Sequence, residues 1–314
     1  MKPHVVFWLV AGLNGLLLVF LTPPFEVHDE FQHFFRTYQL SEGTLWGVVQ
    51  AGRVGGVLPT SLAELVLRTW GTLGIWTVPP THVHPLGQTW SEFSLPLQPS
   101  LRAFADFSGA ASYSPLPYAP QATAIALGRW LECPPLALLY AGRVANAAAS
   151  ISLVAWAIRI LPSGRDVALV IALLPMAQYE YSSVAPDGLI IATAFLFTAL
   201  SLEAAQCGRW VAWKAIVAAI AAAVFCSIKP PYAPLLLLSF LPACGVKAVM
   251  SYEEGYEPYR RIPNLWFCEH LFAANLRATI EKALRAPLQR VVDDPDFGIT
   301  PAEWVGRIYA GILA

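Results

Sequence analysis

Residues 28–33 read His-Asp-Glu-Phe-Gln-His, and such a cluster can do three kinds of chemistry: bind a metal, act as a general base, or cap a helix. The zinc-protease pattern needs two histidines at i and i+4 on one helical face, with a glutamate after the first. His28 and His33 are five apart, about 140° around a helix of 3.6 residues per turn, so that spacing fails. Glu30 and His33, at i and i+3, could still share an ion, with His82 and His84 as the further donors it would draw on. A capping role, worth about 1 kcal/mol, accounts for Asp29 but leaves Glu30, His28 and His33 unexplained. A carboxylate at a water–lipid boundary, acting as general base toward a hydroxyl or amine, accounts for more of the cluster. A helix N-terminus would keep it ionised. If the leaving group is a lipid-anchored phosphate, a cation is needed close by.

The lipid boundary follows from composition. The 314 residues are 56% hydrophobic and only 13% charged, where soluble domains carry roughly 25% charge. The class is therefore a membrane protein, and a net charge of −1 argues against a nucleic-acid partner. Cys133, Cys207, Cys226, Cys244 and Cys268 form no CxxC pair and read as buried free thiols. Six stretches have the length and apolarity of bilayer spans: 5–22, 136–158, 167–182, 188–206, 211–228 and 233–250. No A-x-A site follows the first, so it reads as an uncleaved anchor. With the N-terminus cytoplasmic, Arg159, Arg165, Arg209, Lys214 and Lys247 all fall in inside loops, as the positive-inside rule requires. Lys229, at the outer end of the fifth span, breaks the pattern and reads as either functional or snorkelling.

Residues 23–135 then form a long extracytoplasmic loop. Phe31, Phe34, Phe35 and Tyr38 recur at i, i+3, i+4 and i+7, the stripe of an amphipathic helix. Asp29 is its expected N-cap, Gln32 the capping-box partner and Gly43 the stop. This helix is expected to lie flat on the outer membrane face, with Arg36 toward lipid headgroups. Further helices are expected at 61–70 and 119–132, the latter also at the interface, and residues 79–100 read as irregular. Tyr113 and Tyr118 read as interfacial anchors. The segment 251–314, a quarter of it Asp, Glu, Lys or Arg, reads as a polar cytoplasmic tail or the remainder of a shortened chain. No internal repeat is present.

The stretches PPFEVHDEFQHFFRTYQLSEG (23–43), GGVLP (55–59), YSPLPYAPQ (113–121), YAGRVANA (140–147), SSVAPDG (182–188) and IKPPY (228–232) together resemble a bacterial family of multi-spanning membrane proteins of unknown function. That family is placed near the GT-C superfamily of polyprenyl-phosphate-dependent glycosyltransferases. The resemblance covers roughly residues 1–245, and its relatives continue with more spans. It implies an all-α polytopic bundle with a GT-C-like first part and interfacial helices in the first loop. It also implies a site on the outer face of a bacterial plasma membrane. Asp29 matches the acidic residue proposed as general base, and Glu30 its neighbour. His28 stands where proline is more usual. Asp187 matches a second acidic position, and also reads as a cap of the fourth span. Lys229 matches a donor-phosphate ligand of aminoarabinose transferases. Arg143 could hold phosphate or pair with an acid, and Tyr232 belongs to the substrate-binding set. The implied reaction moves a sugar from a polyprenyl phosphate to an extracytoplasmic acceptor. A divalent cation through Asp29, Glu30 and Asp187 is allowed and not required. A flippase for lipid-linked sugars and a non-catalytic scaffold are the rival readings.

Overall fold

The stretch Pro3–Leu21 contains no Asp, Glu, Lys or Arg and forms helix α1, with its proline in the first turn, where a missing N–H costs nothing. The computed structural model describes residues 1–70, 86–228 and 230–242. Lys229, His82, His84 and the segment 251–314 lie outside the described residues.

Helices α2 (Glu30–Ser41) and α3 (Thr60–Trp70), α4 (Leu86–Ser91), α5 (Ser108–Ala111) and α6 (Ala119–Trp130) follow α1. Then come α7 (Pro135–Ile160), α8 (Arg165–Ala172), α9 (Pro175–Tyr181), α10 (Asp187–Cys207) and α11 (Ala212–Cys226). Among the described residues α1, α7 and α10 are long and apolar enough to cross a membrane. At about 1.5 Å per residue each reaches roughly the 30 Å of a hydrocarbon core. Helix α7 is the centre of this group, with α1, α6 and α10 packed against it.

Three of the expected spans differ. Residues 167–182 are not one helix: α8 and α9 are separated at Leu173–Leu174. Pro175 has no N–H to continue the ladder, and Leu174 before it is driven to extended backbone, with φ −55° and ψ 137°. Helix α11 is 15 residues long, and Pro230–Phe240 is a 3-10 helix with Pro234 inside it rather than the start of an α-helical sixth span.

The fold is not all-α. Strands β1 (Val48–Gln50), β2 (Arg53–Pro59) and β3 (Arg102–Asp106) form an antiparallel sheet in the order β1-β2-β3. Val48 pairs with Gly55, and Gly55 with Asp106. The two glycines of GGVLP permit close approach. A Cβ on Gly55 would lie 2.0 Å from the Ala105 carbonyl oxygen, and one on Gly56 would lie 2.9 Å from Gln39 Nε2 on α2.

Helix α2 does not lie flat on a membrane face. All ten residues from Glu30 to Gln39 are buried. Its phenylalanines join the common core. Its polar face is covered by protein that answers several of its groups with hydrogen bonds, while Arg36 Nε and the Tyr38 hydroxyl are buried with no such partner among the described residues. Gln32 Oε1 accepts from the Gly109 N–H at 2.8 Å, and Gln39 Nε2 donates to the Trp46 carbonyl at 3.1 Å. Arg36, 1% exposed, donates to Gln39 Oε1 and to the carbonyls of Leu45 and Tyr113, so it does not reach lipid headgroups. Tyr118 is fully buried, not an interfacial anchor. Gly43, at φ 80°, follows the helix end as expected.

Candidate functional site

The site is built where the end of α1, the start of α2, the first half of α7 and the loop between α9 and α10 meet. Glu30 and Arg143 are both fully buried there. Arg143 Nη2 donates to Glu30 Oε2 at 2.5 Å and its Nε to Oε1 at 2.8 Å. The remaining guanidinium protons go to the carbonyls of Val19 (3.0 Å), Thr22 (2.7 Å) and Pro23 (3.0 Å). The Val19 and Thr22 carbonyls are left open by the end of α1 and its cap, and the Pro23 carbonyl also accepts from the Glu26 N–H at 3.4 Å. Arg143 thus uses five N–H donors on five acceptors. Glu30 is equally complete: the Phe25 N–H reaches Oε2 at 3.0 Å and the Val184 N–H reaches Oε1 at 3.1 Å. Four donors fill its four lone-pair positions.

Asn146, one turn beyond Arg143, holds the same loop. Its Nδ2 donates to the carbonyls of Ser183 (2.9 Å) and Ala185 (3.1 Å). The stretches HDEF, YAGRVANA and SSVAPDG therefore converge on one buried knot. Asn146 was missed in the sequence because an Asn in a span signals only a polar contact, not which one.

Asp29 is placed differently from its neighbour. It precedes α2 in left-handed backbone, with φ 56° and ψ 13°, and its side chain makes no capping bond. The expected N-cap is thus positional only, because this conformation turns the carboxylate away from the N–H groups of the first turn. The capping box is also absent: Gln32 reaches back to Asp29 Oδ1 only at 3.4 Å and is committed to Gly109. Asp29 Oδ2 lies 3.2 Å from His28 Nε2, and the two side chains are 37% and 84% exposed.

One turn along α2, His33 Nδ1 bonds the Tyr118 hydroxyl at 2.8 Å, with the Tyr113 ring centroid 5.7 Å away. Burial pushes the Tyr118 phenol well above its ordinary value, as do the nearby Tyr113 and Asp187, while Arg36 opposes them. Asp187 is the first residue of α10 and is half-buried. Its charge is in the favourable place for a helix dipole. Tyr232 sits apart from Glu30 and Arg143 in sequence and element, half-buried in the 3-10 segment packed on α10 and α11.

The structure thus joins Glu30 to Arg143, leaves the Asp29 carboxylate in part open to solvent, and sets Asp187 near Tyr118. Among the described residues no group of three or more His, Cys, Asp or Glu stands where it could hold a metal. Glu30, with every lone pair used, has none to give one.

Residues 13–292 match the family described as predicted membrane protein (DUF2142). The chain belongs to that family. No curated protein and no solved structure matches it. This membership agrees with the three described helices that are long and apolar enough to cross a membrane.

Proposed function

We propose that this DUF2142 protein transfers a sugar from a polyprenyl-phosphate donor to an acceptor at the outer face of a bacterial plasma membrane, in a GT-C-like reaction. The observation supporting this reading is Asp29. Its carboxylate is partly exposed, is not spent on capping, and stands one residue from a side chain locked by the bundle. Non-glycine residues in left-handed backbone are strained and cluster at functional sites.

In this reading Asp29 takes the proton from the acceptor hydroxyl. The acceptor oxygen attacks the anomeric carbon, and the bond from that carbon to the phosphate oxygen breaks with its electron pair leaving on the lipid phosphate. Lys229 supplies the cation for that phosphate. Glu30 and Arg143 act as positioning residues, because their hydrogen-bonding capacity is used on each other and on backbone. Asp187 orders the neighbouring tyrosine turn, and Tyr232 contributes to the wall of the substrate site.

The test is transfer from undecaprenyl-phosphate-linked hexoses and pentoses, labelled in the sugar, by the full chain in liposomes. Asp29→Asn should lower the rate at least 100-fold, the scale of a lost general base, with an unchanged melting temperature. A full rate in Asp29→Asn sinks the reading, as does a complete panel with no Asp29-dependent transfer.

A further inference from the structure

We propose that α1 is the docking face for α1 of a second copy of this chain, joined through Asn14. Helix α1 exposes Val10 (39%), Leu17 (48%) and Leu21 (56%), and Asn14 is also exposed. Residues 10, 14, 17 and 21 are spaced four, three and four apart, the 3.5-residue period of a helix–helix seam with one polar position inside it.

The amide is what selects the occupant. Asn14 lies seven residues before the end of α1, roughly 10 Å inside the helix end at 1.5 Å per residue. That depth lies in hydrocarbon, where an amide without a partner is costly. Among the described residues its side chain meets no hydrogen-bond partner. It lines a groove of about 590 Å³ between α1 and the broken α8–α9 pair, with Leu17, Leu18, Leu173, Met176 and Gln178. Gln178 is 3% exposed. Its Nε2 donates to the Ala172 carbonyl at 2.9 Å, while Oε1 has no partner among the described residues. The groove therefore combines an apolar wall with two amides of open valence.

A lipid chain would fill the apolar part but offers neither donor nor acceptor to the amides. A helix bearing an amide offers both, and interhelical Asn contacts drive association in membranes. A second copy meets this need by symmetry. Two copies inserted with the same topology share a two-fold axis along the membrane normal. That axis sets any axial residue opposite itself at the same depth. An amide is donor and acceptor at once, so Asn14 is complementary to the partner's Asn14.

The experiment is mass photometry of the full chain in lipid nanodiscs at fixed protein-to-lipid ratio, with disulfide trapping in liposomes. The wild type should be dimeric. Asn14→Leu should lower the dimer association constant roughly three- to tenfold, and Asn14→Gln should retain it. Leu17→Cys should cross-link copies above the level of the unsubstituted chain, and Leu9→Cys, about 140° around the helix from Asn14, should not. A monomeric wild type, a dimer unaffected by Asn14→Leu, or trapping at position 9 instead of 17 overturns the proposal.

Discussion

Glu30 and Arg143, 113 residues apart, complete each other: every hydrogen-bonding position on either side chain is filled, and neither is exposed to solvent. The pair closes the end of α1, because Arg143 binds the Val19 carbonyl in its last turn and those of Thr22 and Pro23 just after it. It also fixes the loop before α10, through the Val184 N–H. Removal of a partner from a buried ion pair leaves an uncompensated charge, the expensive case for such pairs.

Glu30→Gln and Arg143→Met are each expected to destabilise the protein by about 3–5 kcal/mol. Thermal unfolding in detergent micelles would measure this. The double variant Glu30→Leu/Arg143→Met removes both charges. It should recover part of the loss, with a coupling of up to about 3 kcal/mol. Strict additivity of the two losses would mean that the charges do not depend on each other.

Asp29→Gly separates backbone from side chain. Glycine adopts φ 56° without strain, and the aspartate makes no capping bond that would be lost. The variant should match or exceed the wild type in stability, by up to about 1 kcal/mol. Under the glycosyltransferase reading it should nevertheless lose transfer as Asp29→Asn does. A stability loss above about 1 kcal/mol would mean that the carboxylate is holding the α2 entry after all.

Tyr118 gives a pH dependence. Its folded phenol titrates well above the ordinary value, with burial the main cause. The unfolded phenol ionises near pH 10. Below that pH the contribution to stability is complete. As pH rises from about 10 through the folded value, the unfolded state loses its proton first and stability falls. Tyr118→Phe should flatten this alkaline slope, at a cost of about 0.5–1.5 kcal/mol at neutral pH from the lost His33 bond. An unchanged slope would place the alkaline sensitivity on another group.

Much of the helical framework was legible because it rests on local signals. The spans at α1, α7 and α10 and the helices at 60–70 and 119–130 follow from apolar length, periodicity and proline placement. The break before α9 was missed, since 167–182 reads as one span by apolarity although Pro175 stands in the middle of it. The hairpin was hidden by an unusual turn. Ala51 and Gly52 both have positive φ, at 50° and 77°, a geometry usually announced by Asn-Gly or Asp-Gly. Periodicity correctly gave α2 an amphipathic pattern. It could not show that the polar stripe faces a lid of backbone amides and carbonyls rather than water or headgroups. The Glu30–Arg143 pair was harder still, since nothing local links two residues separated by 113 positions.

That separation also orders the assembly of the protein in time. At 5–20 residues per second, synthesis delivers Arg143 roughly 6–23 s after Glu30. Through that interval the carboxylate has no counter-ion from α7, and the ends of α1 and α2 are not yet fastened together. When α7 arrives it carries an arginine that the bilayer disfavours by about 2.5–3.5 kcal/mol at a helix centre. A lasting place for α7 in the membrane thus depends on a residue made early, and a nascent chain released before α7 is synthesised lacks the arginine that ties the end of α1 to Glu30.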